Sequence, residues 1–292
     1  MDDTSKCAIC GSADRGPSLV YEGYHIAECP QCGVWYVVNR PTAERLFELY
    51  DTGELFGGVD DSTPLPEEAY RTPAWKQKEH QRILDWLAEL GATSGKLLDV
   101  GCLWGIFLAH ASARGFDVQG VEPHRRAVEH VREHLGFPVF HGLLREAQFP
   151  DNHFDVVTML DVIEHVHDPV AEIAEIRRIL KPGGVLVVGT PNVVGLLPQM
   201  VRWKRKVFHQ PWAPMGDVPW HLWGFTPRSL AACIRAGGLE VESVRFLHSR
   251  LRSTNRRAGR HFWKRWGMKA LALVGDMIGQ GDRMVALARK RN

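Results

Sequence analysis

Four cysteines open the chain in two pairs, Cys7-Ala8-Ile9-Cys10 and Cys29-Pro30-Gln31-Cys32, with 18 residues between the pairs. This is the spacing of a four-thiolate zinc ribbon, in which each C-x2-C knuckle turns two sulfurs toward one ion. Four thiolates leave no open coordination position, so such a site is structural and not catalytic. A second chemical stretch is Leu97-Leu98-Asp99-Val100-Gly101-Cys102-Leu103-Trp104-Gly105: an apolar run, an acid, and two glycines ahead of a helical pattern. A strand, loop and helix of this kind bring backbone N–H groups to a ligand at the carboxyl end of the strand. A dinucleotide loop wants glycine in the middle of G-x-G-x-x-G, against the pyrophosphate. Leu103 stands there, which disfavours NAD and FAD. The next strand ends in Glu122, an acid able to accept hydrogen bonds from the ribose hydroxyls of any adenosine cofactor.

These residues need a sheet to hold them. From Lys96 to Gly189 the pattern predicts strands over 97–101, 116–121, 139–141, 154–160 and 185–189, with helices over 105–114, 125–135 and 170–180. Strands alternating with helices specify a parallel sheet covered on both faces. Pro182-Gly183-Gly184 supplies a turn into the fifth strand. Further on come a helix over 227–236, a strand over 239–246, a basic helical segment over 255–278 and a last strand over 283–288. Upstream, 19–27 reads as a hairpin arm between the cysteine pairs and 42–50 as a helix. Residues 51–66, rich in Gly, Asp and Pro, read as a linker, and 67–91 as a helix able to cover a cofactor. The expected organisation is a zinc ribbon over 1–40, a helical linker and covering helices over 41–92, and an α/β domain over 93–292. That domain carries a 191–224 insertion, aromatic and partly basic, and a basic insertion over 250–280.

The bulk numbers narrow the class. Apolar content is 45% and charged content 24%, ordinary for a globular chain, and no apolar run approaches the roughly 18 residues of a membrane span. The polar, acidic start, Met1-Asp2-Asp3, lacks an apolar signal region, so a cytoplasmic location is expected, where paired cysteines stay reduced and bind metal. The net charge of +2 hides a split: 13 of the 36 Lys and Arg, against two of the 34 acids, lie from Arg245 onward. The main body is therefore acidic, which argues against a nucleic-acid partner. The basic end is read as a solvated helix face, as a surface for a membrane or an anionic acceptor, or as a nucleic-acid contact.

Residues 97–190 resemble the class I S-adenosylmethionine-dependent methyltransferases, in particular their UbiG/UbiE-like branch. The matching pieces stand in order: Leu98-Asp99-Val100-Gly101-Cys102-x-x-Gly105; Gly120-Val121-Glu122-Pro123; Phe149-Pro150-Asp151-Asn152-His153-Phe154-Asp155; Asp161-Val162-Ile163-Glu164-His165; and Leu180-Lys181-Pro182-Gly183-Gly184. His221-Leu222-Trp223-Gly224-Phe225-Thr226-Pro227 is similar to the segment after the fifth strand in relatives from bacterial glycan and natural-product pathways, some of which also carry a four-cysteine ribbon. The resemblance implies a seven-stranded Rossmann-like sheet with an antiparallel last strand. It implies S-adenosyl-L-methionine as cofactor, with Gly101, Cys102 and Gly105 passing its methionine end, Asp99 ordering the loop, Glu122 and Pro123 at the ribose and Leu160 near the adenine or sulfonium.

Methyl transfer to a hydroxyl needs the acceptor held in line with the sulfonium and its proton removed. Two histidines are candidates, His165 after the fourth strand as base and His221 as its assistant. Asp161, Glu164 and His165 also resemble a divalent-metal group of the ubiquinone-type O-methyltransferases. The acceptor expected is a small molecule, a sugar or natural-product intermediate, free or lipid-linked. A C- or N-methyltransferase and an RNA-modifying enzyme are the alternatives.

Overall fold

The computed structural model describes residues 6–14, 16–51, 74–208, 213–215, 218, 220–247 and 281–291. The basic segment over 250–280, the linker over 52–66 and the first turns of the 67–91 helix lie outside the described residues.

The central sheet has seven strands in the order β10-β11-β8-β7-β4-β5-β6. They are β4 (Gly95–Val100), β5 (Phe116–Glu122), β6 (Val139–His141), β7 (Phe154–Leu160), β8 (Leu180–Pro191), β10 (Glu240–Leu247) and β11 (Arg283–Arg289). Strands β4 to β8 run parallel, while β11 inserts antiparallel between β8 and β10. Parallel strands are buried on both faces and read as continuous apolar runs; Leu97–Leu98, Val156–Val157 and Val185–Val188 are such runs and are buried throughout. β8 starts five residues earlier than expected because Lys181–Gly184 makes an irregularity within the strand, where the register jumps between Phe154↔Leu180 and Val156↔Val185.

Helices flank the sheet: α2 (Ala74–Glu89), α3 (Ile106–Ser112), α4 (Arg125–His130), α5 (Pro169–Ile179) and α7 (Pro227–Ala236), following a short α1 (Ala43–Asp51). Their starts are chemically marked. Asp168 accepts from the Ala171 N–H ahead of Pro169, and Thr226 with Ser229 forms a reciprocal cap ahead of Pro227. The 191–224 insertion is not loop throughout. It contains a helix, α6 (Leu196–Val207), none of whose residues is buried.

A second, antiparallel sheet joins β1 (Ser18–Tyr21), β2 (Tyr24–Glu28) and β3 (Trp35–Val37) of the ribbon to β9 (Trp223–Gly224). The ribbon is thus not self-contained at residue 40, because a strand from the 191–224 insertion completes its sheet. Cys29, Val34 and Tyr36 share one buried cluster with Leu222, Trp223, Phe225 and the α7 residues Leu230 and Ile234. Trp223 lies at the seam, 2% exposed, its ring 6.1 Å from that of Tyr36 and its indole N–H donating to the Val166 carbonyl at 2.8 Å.

Trp223→Ala removes that packing and leaves the Val166 carbonyl without its donor. We expect urea denaturation of the full-length protein to show a loss of about 3–5 kcal/mol; a loss below about 1 kcal/mol would mean the seam is not packed as described.

Candidate active site

At the carboxyl edge of the sheet, the turns after β4, β5 and β7 meet. Gly101 adopts φ 73° and Gly105 φ 71°, a region that L side chains rarely adopt. A Cβ on Gly101 would lie 2.4 Å from Val162 Cγ2, so the glycine lets the β4 turn rest directly on the turn that leads to His165. Leu103 takes the same left-handed conformation, φ 45°, in spite of its Cβ, at a cost of roughly 1–2 kcal/mol. The compensation is visible: its N–H donates to Glu122 Oε2 at 2.8 Å. The His124 N–H donates to Glu122 Oε1 at 2.9 Å. Each carboxylate oxygen keeps a further lone pair for another donor. Burial raises the Glu122 pKa to about 7, against the two amide hydrogen bonds. Asp99, facing Thr158 across the β4–β7 register, accepts the Thr158 hydroxyl at 2.6 Å; burial again raises its pKa to about 7. Both acids are therefore poised near neutrality.

Cys102 turns its side chain into the core, where the missing side chain of Gly120 makes room for Sγ, so only its backbone faces the loop. Pro123 accepts a hydrogen bond from His141 through its carbonyl at 3.0 Å. Leu160, half-buried, ends β7 opposite Gly189.

His165 and His221 come together, ring centroids 4.8 Å apart and tilted by 65°. Both are fixed through Nδ1 to a carbonyl, His165 to Trp220 at 2.9 Å and His221 to Met215 at 2.6 Å. A carbonyl only accepts, so each Nδ1 carries a proton. Burial, with His221 adjacent, lowers the His165 pKa to about 4. It is a neutral acceptor at physiological pH. Beside the pair, Glu164 is 2% exposed and accepts the Thr190 hydroxyl at 2.9 Å. Burial, with Asp161 nearby, raises its pKa to about 7.

The D-x-x-E-H string is divided by the fold. Asp161, at φ 61°, turns toward Lys76 Nζ at 2.8 Å and Arg283 at 2.5 Å. Burial alone would raise its carboxyl, but Arg283 and Lys76 hold it well below the usual range. Arg283 and Lys76 also bridge to buried Glu79, at 3.0 and 3.4 Å. An acid already holding two cations is a poor ligand for a third, which corrects the expectation of a divalent-metal group at Asp161, Glu164 and His165. The three groups gathered within 4.8 Å are instead Glu164, His165 and His221. Lys76, Glu79 and Arg283 carry no motif. Their partners lie as far as 204 residues away, and only the covering position of α2 hinted at a role.

The four cysteines, by contrast, converge as their spacing requires. All four sulfurs lie within 4.8 Å of one another, with Cys7–Cys32 at 3.7 Å and Cys10–Cys29 at 3.6 Å. Sulfurs about 2.3 Å from a tetrahedral zinc stand about 3.8 Å apart, so the set fits that ion.

Fold and edge together define a nucleotide-binding α/β enzyme of the doubly wound class. The family described as "Methyltransferase domain" matches residues 74–244, and the chain belongs to it. It is 30% identical over 154 residues to the ubiquinone biosynthesis O-methyltransferase of Cereibacter sphaeroides, covering 50% of this chain and 60% of that one. The corresponding enzyme of Thiobacillus denitrificans is 34% identical over 183 residues, 55% of this chain and 72% of that one. Against several such relatives the chain spans only about half of their length. Among solved structures, the [4+2]-cyclase SpnF superposes with a TM-score of 0.54 at 22% identity, covering 86% of this chain and 98% of that one. The 1,6-didemethyltoxoflavin-N1-methyltransferase of Burkholderia thailandensis, solved with S-adenosylhomocysteine, gives 0.54 at 14% identity, covering 95% and 100%. These two likenesses speak to the fold alone. Among the described residues no helix is long and apolar enough to cross a membrane.

Arg283→Met would leave Asp161 and Glu79 with Lys76 as their one cation. Because Asp161 is partly exposed, we expect a loss of about 2–3 kcal/mol in chemical denaturation, the low end for a broken buried pair. An unchanged midpoint would contradict the network.

Proposed function

We propose that the protein transfers the methyl group of S-adenosylmethionine to a hydroxyl of a small molecule, a sugar or natural-product intermediate, with His165 as general base. The observation that carries this reading is the setting of His165: its Nδ1–H is committed to the Trp220 carbonyl and its ring lies against His221, at the carboxyl edge where ligands bind in such sheets. The O-methyltransferase names of the relatives support a hydroxyl acceptor.

In this reading the cofactor supplies an electrophilic methyl on a sulfonium, and the chain's residues do the rest. Glu122 accepts from the ribose hydroxyls while its own loop amides hold it in place, with Pro123 alongside. Gly101, Cys102 and Gly105 present backbone to the methionine end, and Asp99 orders that turn. Leu160 provides an apolar wall near the adenine or sulfonium. His165 Nε2 would take the acceptor's proton, so that transfer, with the methyl–sulfur bond broken as the C–O bond forms, would leave a neutral ether and S-adenosylhomocysteine. His221, its ring 4.8 Å from that of His165, helps to orient the hydroxyl. Cys7, Cys10, Cys29 and Cys32 hold a structural Zn2+. A lipid-linked acceptor is supported by α6, where Trp203 is 70% and Phe208 64% exposed beside Lys204, Arg205 and Lys206.

His165→Ala should lower kcat by at least about a hundredfold while binding of S-adenosylhomocysteine, followed calorimetrically, stays the same. Full turnover in the variant would remove His165 from the mechanism. In the unaltered enzyme with cofactor saturating, the low pKa places the His165 acid limb of kcat/KM for the acceptor near pH 4, below the value of about 6.5 of an ordinary histidine.

A further inference from the structure

We infer that the cysteine ribbon positions the histidine pair: its third strand holds, by backbone pairing, the Trp220–Gly224 segment that carries His221 and supplies the carbonyl bonded to His165. This rests on the reading that the pair faces the acceptor. The path can be followed bond by bond. The second knuckle closes through the Gly33 N–H to the Cys29 carbonyl at 2.8 Å and the Cys29 N–H to the Val34 carbonyl at 2.9 Å. The next residue begins β3. There Trp35 pairs with Gly224 and Tyr36 with Trp223, and the Val37 N–H donates to the Leu222 carbonyl at 3.0 Å.

From its other edge the same segment grips the turn that carries His165. The Leu222 and Trp223 N–H groups both donate to the Glu164 carbonyl, at 2.8 and 3.1 Å, and the Trp223 indole donates to the Val166 carbonyl. His165 therefore sits between two residues whose carbonyls are held by 222–223, and its own Nδ1 is held by residue 220. A two-residue strand cannot keep its shape alone, and the sheet partner of β9 is β3. The cofactor side is built differently. Asp99, the glycine turn and Glu122 hang on β4, β5 and β7, with no bond to the ribbon among the described residues. Loosening the knuckle should therefore release the histidines and spare the cofactor loop.

The two sides can be read separately in the full-length protein. The imidazole tautomers of His165 and His221 are observed by two-bond nitrogen–proton correlation, and S-adenosylhomocysteine affinity by calorimetry. The comparison is between zinc-loaded protein, protein stripped by a zinc chelator, and the zinc-loaded variant Val37→Pro, which deletes the N–H to Leu222 and keeps all four cysteines. We expect one Nδ1–H tautomer for each histidine in the loaded protein and averaged or multiple signals in the other two, with affinity held within about twofold. Unchanged imidazole signals in both altered samples would overturn the inference. So would loss of cofactor binding together with the imidazole changes, since the ribbon would then support the whole domain. The signals report position whether or not His165 is the base, so a failed base assignment would appear in the turnover of His165→Ala and leave this result standing.

Discussion

Burial of the Glu122 carboxylate at the end of β5 is the constraint around which the carboxyl edge of the sheet is built. A carboxylate removed from water must find donors or take up a proton. Here the donors are the N–H groups of Leu103 and His124, one from each neighbouring turn. The bond to Leu103 accounts for an otherwise costly choice, a branched residue in a left-handed turn. It also aligns the loop between Gly101 and Gly105, which in turn rests on Val162 and the approach to His165. One buried acid thus links the turns after β4 and β5 to the turn that carries His165.

The histidine pair depends on a different kind of restraint. The Trp220–Gly224 segment is short and far in sequence from both the ribbon and the Glu164–Val166 turn, yet it bonds to the ribbon on one edge and to that turn on the other. The charged group of Lys76, Glu79, Asp161 and Arg283 closes the third side, fastening α2 to β11 and to the turn after β7. In each case a covering element is held by polar bonds to the turns of the sheet, while the sheet itself is held by apolar contact.

Local chemistry was legible in the sequence, and distant chemistry was not. The cysteine spacing, the Gly101–Gly105 turn, the acid ending β5 and the strand and helix alternation are all written within short windows, where residue type dictates backbone geometry. The antiparallel place of β11 came through family resemblance and holds. What escaped was long-range. Two residues at 223–224 are too few to show a strand period, so their union with the ribbon left no pattern. The string Asp161-x-x-Glu164-His165 suggested one ligand group, but φ 61° at Asp161 turns its carboxylate toward Lys76 and Arg283, and His221 takes its place beside Glu164 and His165.

The most direct test of the central claim is calorimetric titration of S-adenosylhomocysteine at pH 6.5, in buffers of different ionisation enthalpy. In the folded chain Glu122 and Asp99 have pKa values of about 7 and are largely protonated at that pH. Ribose hydroxyls donate to the ionised acid, so binding should release protons, and affinity should weaken as the pH falls from 8 toward 6. Replacing Glu122 with Gln should weaken binding and reduce the proton release. Affinity and proton release left unchanged by Glu122→Gln would contradict the assignment of this acid to the cofactor.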